Sequence, residues 1–232
     1  MEDAARFPDV MLLAAGLGTR LLPLTSGRPK PLTEVGGTTL IDRVIAAARF
    51  EGARRFAVNA HHLADQMVAH FSGHPDFSVQ REPELLGTGG GLRNGLSVLE
   101  TDPVLVMNTD SFWPVGRDKP LARLVAKRAE TGAGAVLLCA HPARAHGFSR
   151  SHDFCLDPGG RITDDFGLPV IYAGVALVAR DLFADEDNGA FSINRLFERA
   201  REREALSGVL LDAPWFHVGD AAGLAEAEAA LR

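Results

Sequence analysis

The alternation of apolar and amphipathic segments predicts an α/β chain. Residues 10–15 form a continuous apolar run, VMLLAA, which ends at Gly16. Such a run is typical of a strand that is buried on both faces of a parallel sheet. Further strands are predicted at residues 54–60, 77–81, 102–108, 133–140 and 170–178. Segments with helical spacing lie between or after them, at residues 38–52, 61–71, 90–99, 121–131 and 192–203. This order predicts a mostly parallel sheet with helices on both faces.

The second part of the chain has a less regular order of predicted strands and helices. The Pro-Gly-Gly at residues 158–160 predicts a hairpin turn within residues 154–166. We interpret the later strands as an extension of the same sheet that covers one end of a cleft. The expected organisation is therefore a single domain over residues 1–232, with two halves at about 8–115 and 116–232.

Composition and charge exclude several classes of function. The chain is 46% hydrophobic and 23% charged, as in ordinary globular proteins, and its net charge is −6. A nucleic-acid partner is not expected, because such proteins carry a basic stripe.

The acidic N-terminus lacks the order of a secretory signal, and no apolar run approaches the ~20 residues of a membrane span. We expect a cytoplasmic protein without membrane contact. Cys139 and Cys155 are interpreted as reduced thiols.

The strongest candidate chemistry follows the first strand. Gly16 and Gly18 allow the backbone to turn its N–H groups toward phosphate oxygens, and Arg20 adds a fixed positive charge. Lys30 lies ten residues later in a Pro-Lys-Pro segment. A Gly-x-Gly alone is a weak signal, but this combination is much narrower. It indicates a nucleoside triphosphate as ligand, with Arg20 and Lys30 as the catalytic cations. Both could also be ordinary surface cations beside a turn.

A carboxylate and a glycine-rich segment complete the predicted site. Asp110 directly follows the strand at 102–108, which places it at the carboxyl edge of the sheet, where ligands of open α/β sheets bind. A carboxylate beside a triphosphate suits Mg²⁺, although an Asp after a strand is also a common cap. Three consecutive glycines begin at Gly89, and we interpret them as main chain lying against a base or ribose. A flexible loop is the alternative.

Together these motifs resemble the sugar-1-phosphate nucleotidyltransferases. The matching segments are LAAGLGTR at 13–20, PKPL at 29–32, LLGTGGGLRNGL at 85–96, VMNTD at 106–110, YAGV at 172–175 and WFHVGD at 215–220. The resemblance implies a three-layer αβα Rossmann-like fold and condensation of a nucleoside triphosphate with a sugar 1-phosphate, with release of pyrophosphate. Within the family, the short length and the TGGG block are most similar to the bacterial uridylyltransferases that act on N-acetylmuramate 1-phosphate in peptidoglycan recycling. Mannose-1-phosphate guanylyltransferases share most of these motifs and remain an alternative.

The resemblance also implies roles for individual residues. Nucleotide binding is implied for Ala14, Gly16, Gly18, Thr19, Gly87 and Thr88, with Arg20 and Lys30 on the phosphates and Asp110 on the metal. Sugar binding is implied for Gly147, Phe148, Gly174 and Asn194. The chain is expected to act as a monomer or a homodimer.

Two segments depart from the family pattern. Relatives commonly have W-x-D-x-G-T, whose Asp is the second metal ligand, but this chain has His217 there and Asp220 in the place of the Thr. Imidazole is a poor ligand for Mg²⁺. Asp220 or a water could fill the position, or His217 could hydrogen-bond a phosphate. A Glu-Lys-Pro segment that holds the sugar phosphate in many relatives is missing near residues 164–169, so no cation is assigned to that phosphate.

Two other classes of function were weighed. A nicotinamide dehydrogenase also opens with a strand and Gly-x-Gly, but Leu21 stands where its third glycine is expected, and hydride transfer has no use for Arg20 or Lys30. A non-catalytic nucleotide-sugar sensor on the same fold is the second alternative, because fold alone does not establish activity. Pyrophosphate release distinguishes an enzyme from a sensor.

Overall fold

A computed structural model describes residues 6–186 and 189–231. Its centre is a nine-stranded mixed sheet, and two smaller sheets lie beside it. The strands are β1 Val10–Leu13, β2 Glu34–Val35, β3 Thr38–Thr39, β4 Phe56–Ala60, β5 Phe77–Arg81, β6 Val104–Asn108, β7 Ser111–Phe112, β8 Ala135–Ala140, β9 Ala145–His146, β10 Phe154–Leu156, β11 Ile162–Thr163, β12 Leu168–Val178, β13 Leu206–Leu210 and β14 Trp215–His217.

The central sheet joins both halves of the chain. Strands β5, β4, β1 and β6 are parallel neighbours in that order. The long strand β12 then pairs antiparallel with β6 and with β8, and β13 is parallel to β8. The predicted hairpin is formed by β10 and β11, and β10 pairs with the first part of β12. The expected α/β class with a mixed central sheet is confirmed.

Helices cover the two faces of this sheet. They are α1 Leu40–Glu51, α2 Ala64–His70, α3 Gly87–Gly95, α4 Pro120–Thr131, α5 Asn194–Glu202 and α6 Ala221–Ala230. Apolar residues of α1, α2 and α4 share one buried cluster, whereas those of α3 and α5 belong to a second. Successive side chains of a strand point to opposite faces. In β1, Leu12 therefore packs in the first cluster and Met11 in the second, which makes three layers.

A second sheet of three short strands brings distant segments together. β14 pairs antiparallel with β7 and parallel with β9. Phe216 of β14 lies opposite Phe112 of β7, and the two rings stack at 5.2 Å between centroids. The sequence pattern did not predict these strands, because each has only two or three residues. Their pairing places residue 217 beside residue 111, and thus close to the end of β6.

Two further expectations need correction. The helix predicted at residues 90–99 begins at Gly87 and ends at Gly95, so all three consecutive glycines are helical. Strand β13 at Leu206–Leu210 was not predicted, because its sequence LSGVL contains a glycine and follows directly on a charged helix. The glycine fits because the strand packs closely, and a Cβ at Gly208 would lie 2.8 Å from Ile162 Cδ1. In the described part of the chain, no helix is long and apolar enough to cross a bilayer.

Candidate active site

The carboxyl ends of β1, β4 and β6 open into a cavity of about 430 Å³. These strands are parallel neighbours, so the loops that follow them meet at one edge of the sheet. Nine of the residues predicted from the sequence line this cavity: Ala14, Gly16, Gly18, Thr19, Arg20, Lys30, Gly87, Thr88 and Asp110. The fold therefore brings residues of four matching segments together in one place.

The loop after β1 is closed by contacts around Gly18. This glycine has φ 65°, in the left-handed region that favours glycine. Thr25 Oγ1 donates a hydrogen bond to Gly18 O at 2.8 Å. A Cβ at Gly18 would lie 3.1 Å from Lys30 Cβ, so the loop is held closely against the Pro-Lys-Pro segment. By contrast, a Cβ at Gly16 would meet no atom of the described residues within 4 Å, and this glycine faces open space.

Lys30 and Asp110 form an ion pair at the floor of the cavity. Lys30 Nζ donates to Asp110 Oδ2 at 2.7 Å, although 80 residues separate them in the sequence. Burial alone would raise the pKa of Asp110, but the neighbouring His217 and the charge of Lys30 outweigh it and hold this pKa well below its usual range. The carboxylate is therefore ionised at neutral pH.

Arg20 is the second predicted cation, and it is exposed. It lines the first cavity and also a second one, of about 670 Å³. Its guanidinium makes no hydrogen bond or ion pair with any residue that the structure describes. Because Arg carries five donors in a rigid fork, a free guanidinium at this position is suited to bind phosphate oxygens.

The second cavity adjoins the first. Arg20, Asn108 and Asp110 line both. Three of the four predicted sugar-binding residues, Gly147, Phe148 and Gly174, line the second, together with His217 and Asp220. The two cavities thus meet at the carboxyl end of β6.

Gly147 and Gly174 line the second cavity at positions where a larger residue would clash with neighbouring atoms. Gly174 has φ 79° and lies where the pairing of β12 with β8 shifts register. A Cβ there would lie 2.6 Å from Ser111 Oγ. Gly147 has φ 73°, and a Cβ there would lie 2.1 Å from His217 O. Both glycines are thus needed for close packing, and sugar binding by them stays a prediction.

His217 is fixed on several sides. Its Nδ1 donates to Gly147 O at 3.1 Å, because a carbonyl oxygen can only accept. Its ring is parallel to that of Trp215, at 5.8 Å between centroids and an angle of 2°. Nε2 lies 3.7 Å from Asp110 Oδ2. The imidazole that replaces the expected second carboxylate therefore faces the predicted metal ligand.

Asp220 and Asn194 are not placed as the sequence interpretation expected. Asp220 lines the second cavity, but its Oδ1 accepts a hydrogen bond from Gly223 N at 3.0 Å and caps α6. Asn194 is the exposed first residue of α5 and lines neither cavity, so the structure does not bring it together with the other predicted sugar-binding residues. A short polar motif does not distinguish a helix terminus from a pocket wall.

The consecutive glycines pack against protein and not against a ligand. A Cβ at Gly89 would lie 2.2 Å from Phe191 Cε2, and one at Gly91 would lie 2.4 Å from Asn59 Nδ2. The predicted contact of Gly89–Gly91 with a base is therefore wrong. Only Gly87 and Thr88, at the start of α3, line the first cavity. The glycines let α3 approach its neighbours closely.

A buried polar chain that the sequence analysis missed holds the loops of the first cavity. Ala14 N donates to Asn59 Oδ1 at 2.7 Å, and Asn59 Nδ2 donates to Glu82 Oε1 at 2.7 Å. Leu86 N then donates to Glu82 Oε2 at 3.2 Å. Asn59 and Glu82 are both buried. A signal existed in the sequence, because Asn59 interrupts the otherwise apolar strand FAVNA near its carboxyl end.

Arg150 is another residue without a sequence prediction. It lines the second cavity, and its guanidinium lies over the Phe148 ring at 5.1 Å from the centroid. It also pairs with Asp153 at 2.8 Å. The side chain is 71% exposed, so it is available to a ligand. Arg20 and Arg150 are the cations that line this cavity.

The arrangement fits a metal shared with substrate. In the described residues, no group of three or more His, Cys, Asp or Glu is arranged to hold a metal ion. Mg²⁺ is usually bound through one or two carboxylates together with substrate phosphates. An ionised Asp110 at the junction of the cavities meets that requirement. Asp110 Oδ1 has no hydrogen-bond partner in the described part of the chain, which leaves it available to a cation.

Comparison with known proteins identifies relatives of this chain. A family model described as a MobA-like NTP transferase domain matches residues 10–204. The N-acetylmuramate alpha-1-phosphate uridylyltransferase of Caulobacter vibrioides is 33% identical over 231 residues, covering 95% of this chain and 96% of that protein. A mannose-1-phosphate guanyltransferase of Kluyveromyces lactis is 37% identical over 109 residues, covering 43% of this chain and 30% of that protein.

Solved structures share the fold at low sequence identity. The inositol-1-phosphate CTP transferase from T. maritima is 13% identical, with a TM-score of 0.72 over 97% of this chain and 96% of that one. HddC from Yersinia pseudotuberculosis, complexed with GMP-PN, is 18% identical, with a TM-score of 0.74 over 97% of this chain and 100% of that one. The resemblance found in the sequence motifs is thus confirmed. The chain belongs to the family of MobA-like NTP transferases, and it is a nucleotidyltransferase of the sugar-1-phosphate group.

Proposed function

We propose that this chain transfers the uridylyl group of UTP to a sugar 1-phosphate, and that N-acetylmuramate 1-phosphate is the favoured acceptor. The observation that carries the proposal is the junction of two cavities at Arg20, Asn108 and Asp110. A nucleotidyl group can pass from one substrate to the other only if the two are bound side by side. Charged residues that line both sites would then lie next to the reacting phosphates. The first cavity would take the nucleotide and the second the sugar 1-phosphate.

On the nucleotide side, the backbone supplies most of the contacts. The loop from Ala14 to Thr19 would lie along the triphosphate, with open space over Gly16 for an oxygen. The base would lie near Gly87 and Thr88. Thr88 Oγ1 accepts a hydrogen bond from Ile193 N at 2.9 Å, which leaves its own hydrogen free to donate. The Asn59 amide is already engaged at both ends, so it would hold the loops and not the base.

The chemical step is a displacement at phosphorus. An oxygen of the sugar 1-phosphate forms a bond to the α-phosphorus, the bond between that phosphorus and the oxygen of the β-phosphate breaks, and pyrophosphate leaves with the electron pair. No covalent enzyme intermediate is needed. The Lys30 ammonium, held at the junction by Asp110, would neutralise charge on the reacting phosphoryl group, and Arg20 would do so on the departing phosphates. Positioning and charge neutralisation supply the catalysis.

We also assign a divalent cation to the site, as its cofactor. Asp110 would hold it together with phosphate oxygens. When bound, the cation would neutralise the phosphates and help to align them. Mg²⁺ is the cation expected for a carboxylate and phosphates.

The acceptor is chosen by the second cavity. N-acetylmuramate differs from N-acetylglucosamine by a lactyl ether that ends in a carboxylate. Arg150 is an exposed cation over the Phe148 ring in this cavity, and it offers a partner for that carboxylate. Together with the uridylyltransferase relative, this favours N-acetylmuramate over mannose as the sugar. The product would then serve peptidoglycan recycling, in a cytoplasmic protein that acts as a monomer or homodimer.

A pyrophosphate-release assay tests the proposal. The full chain is assayed with UTP, GTP, CTP and dTTP, each crossed with the 1-phosphates of N-acetylmuramate, N-acetylglucosamine and mannose. We expect the highest kcat/KM for UTP with N-acetylmuramate 1-phosphate. A preference for GTP with mannose 1-phosphate would replace the proposal with the guanylyltransferase alternative. Binding of UTP without any pyrophosphate release would indicate a sensor, a possibility that His217 in place of an acidic metal ligand keeps open.

A further inference from the structure

Relatives commonly have two carboxylates at the cation site. In this chain, His217 stands at the position of the second carboxylate. Its Nδ1 donates to Gly147 O, which fixes a hydrogen on that nitrogen and leaves Nε2 as the position where a cation can replace a proton. Nε2 faces Asp110. Histidines that bind metals almost always donate their other N–H to a carbonyl or carboxylate in this way. The hydrogen bond to Gly147 thus has the form of support for a metal ligand.

The ring cannot easily turn away from this direction. It is parallel to the Trp215 ring, and the Phe148 ring approaches it at 67° with 6.5 Å between centroids. A Cβ at Gly219 would lie 2.6 Å from His217 Cε1, so the glycine leaves just enough room for the imidazole. A ligand held by its surroundings in one orientation needs little reorganisation when a cation arrives.

The distance between the two donors suits a single ion. Asp110 Oδ2 and His217 Nε2 are 3.7 Å apart. Metal–oxygen and metal–nitrogen bonds of about 2.0–2.2 Å can span such a gap from one ion. Oδ2 also accepts from Lys30, so a cation in this gap would share Oδ2 with the Lys30 ammonium, and Oδ1 is a further oxygen that no described residue engages.

From these contacts we infer that the cation site selects a first-row transition metal such as Mn²⁺ over Mg²⁺, through Asp110 and His217 Nε2 as an oxygen and nitrogen pair. Imidazole nitrogen binds first-row transition-metal ions, of which Mn²⁺ is the weakest binder and also takes carboxylate oxygen, whereas Mg²⁺ takes oxygen ligands. The inference rests on the proposed function, because that function is what assigns a divalent cation to Asp110. It names which cation the site takes and which residue decides the choice.

Direct metal binding to the full chain tests the inference without an activity assay. Electron paramagnetic resonance of free Mn²⁺ gives the affinity, and Mg²⁺ is added as competitor. Pulsed resonance of the bound ion reports nitrogen coupling from a ligated imidazole. The variants are His217→Asp, which restores two carboxylates, and His217→Asn, which keeps a polar side chain without imidazole. His74→Asp is the matched control, since His74 is exposed before β5 and lines neither cavity.

We expect nitrogen coupling in the wild-type protein and in His74→Asp, and its loss in both His217 variants. We also expect His217→Asp to lower the preference for Mn²⁺ over Mg²⁺ by on the order of 10-fold or more. Circular dichroism establishes that each variant is folded. Bound Mn²⁺ without nitrogen coupling would overturn the inference, as would an unchanged Mn²⁺ to Mg²⁺ ratio in His217→Asp, or no saturable Mn²⁺ binding. Nitrogen coupling in a protein that releases no pyrophosphate would instead overturn the proposed function.

Discussion

The two cavities of this protein are built in different ways. The walls of the first come from the carboxyl ends of three parallel neighbours, β1, β4 and β6, and from the start of α3. A buried chain through Asn59 and Glu82 joins the loop after β1 to the segment before α3. The second is assembled from the short strands β7, β9 and β14, the bulged part of β12 and the start of α6. The first follows from the parallel sheet, whereas the second depends on contacts between segments far apart in the chain.

The largest effect is expected from a substitution of Lys30, which lines the first cavity. Lys30→Ala removes the charge at the junction, and we expect kcat to fall by about 10²–10³-fold, as when one group that stabilises the transition state is lost. Thermal unfolding of the variant is measured alongside pyrophosphate release. Lys127→Ala is the control, because Lys127 contacts Gly159 O and Glu130 and lines neither cavity. Parallel loss of turnover and of folded protein would remove the catalytic role.

The buried chain behind the first cavity is expected to matter for stability. Asn59→Ala leaves Ala14 N and Glu82 Oε1 without their partners, and each buried group left unpaired costs about 1–3 kcal/mol. Urea unfolding measures the free energy of unfolding. Because the loop position changes too, KM for the nucleotide should rise more than KM for the sugar 1-phosphate. Equal changes in both KM values would contradict a role confined to the first cavity.

A pair of glycine substitutions compares the two cavities directly. Gly147→Ala introduces a Cβ 2.1 Å from His217 O at a positive φ, and we expect a loss of about 1–3 kcal/mol in the free energy of unfolding. Gly16→Ala meets no described atom within 4 Å and should change that free energy by less than about 0.5 kcal/mol. Activity should nevertheless fall in Gly16→Ala, because its new methyl group faces the nucleotide. A stable, fully active Gly16→Ala would place the triphosphate elsewhere.

The smallest effect is expected at Arg150. If its exposed guanidinium meets the lactyl carboxylate, Arg150→Ala should lower kcat/KM for N-acetylmuramate 1-phosphate by roughly 3–10-fold, as expected for a solvent-exposed ion pair. The value for N-acetylglucosamine 1-phosphate should stay unchanged. Arg144→Ala is the control, since Arg144 pairs with Asp212 and lines neither cavity. An equal decrease with both sugars would assign Arg150 to the phosphate instead.

The same contrast explains what the sequence could predict. The central strands, most helices and nine residues of the first cavity were predicted, because continuous apolar runs and glycine motifs are local signals. Strand β14 and the hydrogen bond between His217 and Gly147 were not predicted. Both depend on contacts between residues 70 or more positions apart in the sequence. The role of Gly89–Gly91 was misjudged for a related reason. A glycine motif predicts that another group packs closely against the backbone. It does not predict whether that group is a ligand or a side chain such as that of Phe191.

The central claim is that the two cavities hold the two substrates on either side of Asp110. A crystal structure with a non-hydrolysable UTP analogue, a divalent cation and N-acetylmuramate 1-phosphate tests this most directly. The account predicts the triphosphate along the loop from Ala14 to Thr19, with its α-phosphate near Lys30 and the sugar beside Phe148. Nucleotide density outside the first cavity, or both ligands within one cavity, would contradict it.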